Sequence, residues 1–295
     1  MRYLFPFLAA WFLSPAACAE VPVRVLILDG FSNHDWAETT RLIHGILEKS
    51  GDFKVETSTC PPTGTKEWNA WKPDFNNADV IIQNCNDIQK NGAWPEAVKH
   101  SLDQFVSSGG GLFVWHSANN AFADWPAYNR MIGLGWRPKN VGTAIRINDD
   151  GSSVRIPPGE GANTSHGNRV DTLVHRLGEH PIHASLPRSW MTPDLEVYSH
   201  PRGPAENLSV LSYGFDPVTK QNWPLEWTVD YGTGRIYTAT YGHVWKDEKN
   251  PARMRCAAVQ TITVRAVFWL AKKPIPAKVP ADFPTAKHVS IRSDD

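Results

Sequence analysis

The sequence has no net charge to speak of: 30 Lys and Arg stand against 30 Asp and Glu. It therefore lacks the electrostatic footprint that nucleic acid or an anionic membrane surface selects, and neither is expected as a partner. Past the first dozen or so residues there is no apolar run long enough to cross a bilayer, so no membrane span is expected. Several catalytic signatures are missing as well. There is no G-x-S-x-G elbow, no H-E-x-x-H and no G-x-x-x-x-G-K-[ST] loop. The Gly109-Gly110-Gly111 run precedes an apolar strand, whereas a dinucleotide loop follows one and opens a helix, which excludes that reading. His180-Pro181-Ile182-His183 carries metal-like residue types, but the proline makes it a helix-entry turn. No internal repeat or low-complexity block is present.

Cysteine is also scarce, at four residues. Cys18 belongs to a leader-like N-terminus: an early Arg2, a short apolar run to Leu13, and Ala17-Cys18-Ala19 as a small-x-small cleavage pattern. Residues 1–19 are therefore expected to be a signal peptide, with the mature protein periplasmic or secreted. A lipoprotein signal fits less well, because Pro15-Ala16-Ala17 lacks the large aliphatic residue three before the cysteine. Cys60, Cys85 and Cys256 remain, an odd number for an oxidising compartment. Cys60 and Cys85 both follow predicted strands, so a bridge is open to them, though small buried hydrophobes are the simpler reading.

What the chain does have is 41% hydrophobic residues over 295 positions, enough for one large core, and 13 Trp, whose indoles fill cores and stack on sugars. Its organising stretch is Gly109 to Asn120. Leu112 to His116 reads as a buried parallel strand that delivers His116 at its carboxyl end, where open α/β sheets place their ligand crevice. Ahead of it, strands are expected at Val23–Leu28, Phe53–Ser58 and Ala78–Asn84, with helices at Ala37–Ser50 and from Pro95 onwards. The order β-α-β-β-α-β predicts a doubly wound α/β sheet with right-handed crossovers. The second half is less regular. A short helix is expected around Asp124–Met131, then a long excursion over the crevice from Arg137 to Gly178. Three strands follow (Leu208–Tyr213, Leu225–Val229, Arg235–Thr240), then a closing helix from Cys256 to Leu270. From Lys272 the chain is Pro- and Lys-rich and reads as an extended tail, either wrapping the domain or hanging free.

Histidines cluster at predicted element ends. His34, His116 and His243 each follow a predicted parallel strand, and the carboxyl ends of such strands converge on one rim. In the segment from Leu195 to Pro204, strand alternation puts Glu196, Tyr198 and His200 on one face. Glu196 is expected to orient a histidine or act as base, and Tyr198 to position a substrate hydroxyl. Asn33, Trp125 and Glu226 complete the expected substrate contacts, with Glu226 the reserve carboxylate. Arg202 is read as the anchor of the turn that follows it. Residue types alone fit two chemistries: acid/base catalysis by histidine and carboxylate, or a divalent metal held by some of the histidines.

Taken together, Gly111-Leu112-Phe113-Val114-Trp115-His116-Ser117-Ala118, Asp124-Trp125-Pro126-Ala127-Tyr128, Glu196-Val197-Tyr198 with Arg202-Gly203-Pro204, Glu226-Trp227, and Gly242-His243 form an ordered set. The set resembles the ThuA-like (trehalose utilisation) family, over about Val23 to Ala271. The resemblance implies a class I glutamine amidotransferase-like fold, a flavodoxin-like three-layer sandwich with a mostly parallel sheet and added strands in the second half. It also implies a place in sugar catabolism, so a small carbohydrate is the expected ligand, with a domain over 20–271 and a tail over 272–295. His116 stands where the amidotransferase relatives carry a nucleophilic cysteine, so glutamine hydrolysis through a thioester is excluded. Trp223 occupies a neighbourhood where many family members have a histidine. The stretch after His166, where relatives often carry a second histidine, reads Asn168-Arg169-Val170-Asp171. The expected function is that of an exported protein acting on a sugar or oxidised sugar, with a non-catalytic carbohydrate-binding protein as the alternative.

Overall fold

The computed structural model describes residues 21–293; the expected signal peptide lies outside them. The first half alternates strands and helices. These are β1 (Val23–Asp29), α1 (Trp36–Glu48), β2 (Phe53–Thr59), the short α2 (Lys66–Ala70), β3 (Val80–Gln83), α3 (Glu96–Ser107) and β4 (Gly111–Val114). The second half continues with α4 (Pro126–Ile132), β5 (Thr143–Ile147), β6 (Ser153–Ile156), β7 (Ser165–His166), β8 (Val170–Arg176), β9 (Ser189–Leu195), β10 (Tyr198–Ser199) and β11 (Arg202–Gly203). It closes with β12 (Leu208–Asp216), β13 (Gln221–Tyr231), β14 (Gly234–Ala239), α5 (Ala252–Arg255) and α6 (Ala257–Leu270).

Twelve strands form one mixed sheet, with the main path β2-β1-β3-β4-β14-β13-β12-β8-β9. From β2 to β14 neighbouring strands run parallel; from β13 onward they run antiparallel. The expected parallel core is thus present, and the later strands extend it. The stretch from Arg137 to Gly178 is more regular than the sequence suggests. It forms β5 to β8, short strands whose half-polar composition and interrupting glycines hide their periodicity.

Burial explains the parallel part. Alternate residues of β1 go to opposite faces: Val25 and Ile27 pack with Ile43 and Leu47 of α1 and with Val259 and Ile262 of α6. Leu26 and Leu28 pack with Val98 and Leu102 of α3 and with Met131 of α4. Both faces are covered by helices, which is why these strands are continuous apolar runs. Helix α6 is buried on most sides because the tail lies over it, with Ile275, Val279 and Phe283 packed against the same core. Cys256 pairs across an isolated bridge with Ile291, and Met191 N donates to Thr285 O at 2.8 Å, so the tail wraps the molecule. Cys60, Cys85 and Cys256 are buried free thiols. No helix among the described residues is long and apolar enough to cross a membrane.

Candidate active site

Strands β1, β4 and β14 lie on one stretch of the parallel sheet, and the chain leaving each carries a histidine back over the rim. His34 follows β1, His116 follows β4 and His243 follows β14. The last turn needs Gly242: at φ +91°, its backbone passes so close to Trp115 that a Cβ there would lie 2.5 Å from the indole nitrogen. The three imidazoles meet. Ring centroids are 5.1 Å apart for His34–His116, 4.6 Å for His34–His243 and 5.1 Å for His116–His243. All three are buried.

Glu196 closes the group. It lies just beyond β9, not within a strand, and is 5% exposed. Its Oε2 is 3.5 Å from His116 Nε2, while its Oε1 is 3.2 Å from His166 Nδ1 and 3.9 Å from His243 Nε2. Tyr198, at the start of β10, puts its hydroxyl 3.4 Å from His116 Nε2, and Asn120 Nδ2 donates to that hydroxyl at 3.4 Å. The β7–β10 pairing sets Tyr198 opposite His166. A pocket of about 480 Å³ opens over the cluster, with Trp136, Trp245, Asn120, Arg169, Glu196 and Tyr198 among its walls.

The electrostatics favour uncharged rings. Burial, and after it the Arg169 guanidinium, pushes the His34 ring down to about 4. Burial, then His34 and the Arg169 and Arg253 guanidiniums, takes His243 to about 2. His116 is held well below its ordinary value by burial first and by His243 next. Burial raises the Glu196 carboxyl, opposed by His166, Arg169 and Arg253. A buried carboxyl moved up towards neutrality among neutral imidazoles is suited to taking and returning protons.

Not every expected residue reaches this place. Glu226 is fully buried in the middle of β13. Its carboxylate accepts from Tyr237 at 2.5 Å, Tyr241 at 2.7 Å and also Ser212, and His183 Nε2 lies 3.2 Å away. It is out of contact with the pocket, so its expected substrate role is corrected. Trp125 stacks on Tyr128 at 5.4 Å and lies outside the pocket wall. His200 leaves the face of Glu196 and Tyr198: its φ of 51° turns the chain, and its ring packs on Trp223. Asn33 lines the pocket, its Oδ1 2.8 Å from His34 Nδ1. Arg202 is buried, and its guanidinium donates to the carbonyls of Ala162, Gly142 and Glu160 in the preceding excursion, not to the turn that follows it. The sequence reading does not place Arg169 or Trp136 at the site, and no local pattern marks them. Arg169 lies in the stretch where relatives often carry their second histidine.

His34, His116 and His243 are also a candidate metal group, with one ligand atom from each lying within 4.8 Å of the others. A tetrahedral site with nitrogens about 2.0–2.1 Å from the ion spaces them roughly 3.3 Å apart. Neutral, buried imidazoles suit it. The hydrogen bond from Arg169 Nη1 to His243 Nδ1, at 2.8 Å, does not, because a neutral ring accepting there keeps its proton on the other nitrogen.

A mixed sheet whose parallel strands bring three histidines to one rim, where Glu196 joins them from the chain just beyond β9, defines an α/β protein with a histidine and carboxylate cluster at its strand ends. A family model described as ThuA, trehalose utilisation, matches residues 24–270. The chain belongs to the ThuA family. Among solved structures it is similar to a ThuA-like protein from Parabacteroides merdae, at 30% identity and a TM-score of 0.85, covering 92% of this chain and 98% of that one. It is also similar, at 12% identity and a TM-score of 0.47, to a beta-galactosidase from Bacillus circulans, covering 85% of this chain and 32% of that one. No curated protein matches.

Proposed function

We propose that this chain is an exported enzyme of carbohydrate utilisation that moves a proton on a sugar or oxidised sugar. Glu196 is the acceptor, and His34, His116 and His243 surround the reacting carbon. The observation that carries the reading is Glu196 itself, a buried carboxylate within 3.2–3.9 Å of three histidines at the wall of an open pocket. The walls suit a sugar: Trp245 is 44% exposed and offers a stacking face, while Asn120 and Tyr198 bring polar groups for hydroxyls. The helices on both faces of the sheet agree with a flavodoxin-like three-layer sandwich, and the leader-like N-terminus supports a periplasmic or secreted location.

Turnover and calorimetry against a panel of disaccharides, trehalose among them, and their keto derivatives test the reading. Turnover of one of them, lost in Glu196→Gln with binding retained, is the expected result. Binding without turnover of any panel member would instead make the protein a carbohydrate-binding accessory.

The convergence of the imidazoles favours a second reading, in which a divalent metal is held by some of them, with His243 tied instead to Arg169, and polarises a substrate oxygen. Stoichiometric metal in the purified protein, lost in His116→Ala, would establish it.

A further inference from the structure

His34 and His243 face one another at the pocket, and each has one ring nitrogen tied to a group whose own role is fixed. For His34 the chain of constraints starts at the backbone. Ile88 N donates to Asn86 Oδ1 at 3.0 Å, which settles which end of the Asn86 amide is oxygen. The Asn86 NH2 then lies 2.8 Å from both Asn33 Oδ1 and Ser117 Oγ. An amide NH2 only donates, so the Asn33 atom facing it is the acceptor oxygen. That same oxygen is 2.8 Å from His34 Nδ1, and Ser117 Oγ is 2.9 Å from it. The His34 proton therefore sits on Nδ1 and its Nε2 is bare.

His243 is constrained the other way. Arg169 Nη1 is 2.8 Å from its Nδ1, and Arg253 Nη2 is 3.5 Å from the same nitrogen. Guanidinium groups have no lone pair to offer, so Nδ1 accepts and the proton of the neutral ring is on Nε2. His166 repeats the His34 pattern, with Nδ1 2.7 Å from the carbonyl oxygen of Gly167.

We infer that Asn86 and Arg169 are positioning residues that hold His34 and His243 in opposite tautomers, so that the pocket is offered a bare Nε2 by one ring and an Nε2–H by the other. Both rings are buried and each has its Nδ1 engaged by a partner of fixed role, which is the condition for a tautomer to be held. Such a pair divides the labour. A substrate hydroxyl or an acidic C–H gives its proton to His34 Nε2 or to Glu196, while His243 Nε2–H donates a hydrogen bond to the oxygen that gains electron density and keeps its proton. The site's net charge is the same before and after. The inference uses the carbohydrate reading only to name what fills the pocket, because the tautomers belong to the resting protein.

The test needs no substrate. Ring nitrogens of the full chain labelled with 15N-histidine are read at neutral pH, with the two rings assigned by the signals lost in His34→Gln and His243→Gln. The expected result is protonated Nδ1 and bare Nε2 for His34, and the reverse for His243. Arg169→Met should convert His243 to a mixture of tautomers, Arg169→Lys should restore the wild-type pattern, and Asn86→Ala should do to His34 what Arg169→Met does to His243. Like tautomers for the two rings in the wild-type spectrum would overturn the inference, and that spectrum stands even where a variant fails to fold. An unchanged His243 in a folded Arg169→Met would overturn the role given to Arg169. Absence of turnover on every sugar would sink the proposed function and leave the tautomers as measured.

Discussion

His183 Nε2 lies 3.2 Å from the carboxylate of Glu226, and neither side chain has any solvent exposure. Burial would raise this carboxyl, but His183 and the hydroxyls of Ser212 and Tyr237 outweigh it and hold the group below its ordinary value. The pair fixes β13 to the turn that carries His183, behind the sheet strands that lead to the active rim. Removing one member leaves the other buried and uncompensated, which typically costs about 3–5 kcal/mol. Glu226→Leu is accordingly expected to lower the stability measured by urea unfolding at pH 7 by that order. A loss under about 1 kcal/mol would mean that the hydroxyls alone satisfy the site.

Glu196→Gln should separate function from stability. A general base contributes typically about 10²–10⁴-fold to rate, and a drop of that size is expected in any turnover the wild type shows. Since burial raises the folded carboxyl above its unfolded value, the folded state binds its proton more tightly, and stability falls as pH rises between the two values. The neutral amide escapes this penalty. Thermal melts at pH 7.5 should put the variant at or above the wild type, and a clear fall would show that Glu196 stabilises the fold through its histidine contacts.

Acid should destabilise the protein through the rim. His34 takes a proton near ~6.5 in the unfolded chain but only at about 4 in the folded one, so protonation favours unfolding. Its contribution is whole above ~6.5 and is lost as pH falls towards 4, with a slope of up to about 1.4 kcal/mol per pH unit. His34→Gln should flatten this limb of the stability curve, measured by denaturant midpoints from pH 7 to 4.5. An unaltered slope would assign the loss to other groups.

Asn120 carries a prediction about binding. It is 6% exposed, lines the pocket, and its Oδ1 has no partner among the described residues, so a bound hydroxyl is expected to supply one. Asn120→Ala should raise the KM of a sugar substrate about 5–30-fold, roughly 1–2 kcal/mol for one hydrogen bond, with a smaller effect on kcat. A deoxy sugar lacking the contacted hydroxyl should lose the same factor against wild type and nothing further against the variant.

The parallel half of the fold was readable because its central strands are buried on both faces: Val25–Leu28 and Leu112–Val114 are unbroken apolar runs, and turn formers mark their ends. The same logic located His34, His116 and His243, since each sits a few residues past such a run. Strands β5 to β8 were legible only as short alternating runs such as Ala144 to Ile147, because these strands are brief and their partners range from the next strand to others far along the chain. Glu226 misled for a related reason. A carboxylate in an otherwise apolar strand looks like a site residue until its partners are known, and His183, Ser212 and the Tyr237–Tyr241 stretch come from three separate places in the chain. Arg169 carries no chemical signal of its own; its partners Asp194, His243 and Glu248 come from other parts of the chain.

The match to the family model ends at residue 270, yet the interior does not. Phe283 lies 5.6 Å from the fully buried Trp190, and Arg265 inside α6 gives hydrogen bonds to the carbonyls of Ala277 and Lys278. A recombinant protein trimmed to the recognisable homology would thus uncover the back of α6 and strip acceptors from a buried cation. Sticky, aggregation-prone material from such a clone would reflect the missing clasp and say nothing about the chemistry at the opposite rim.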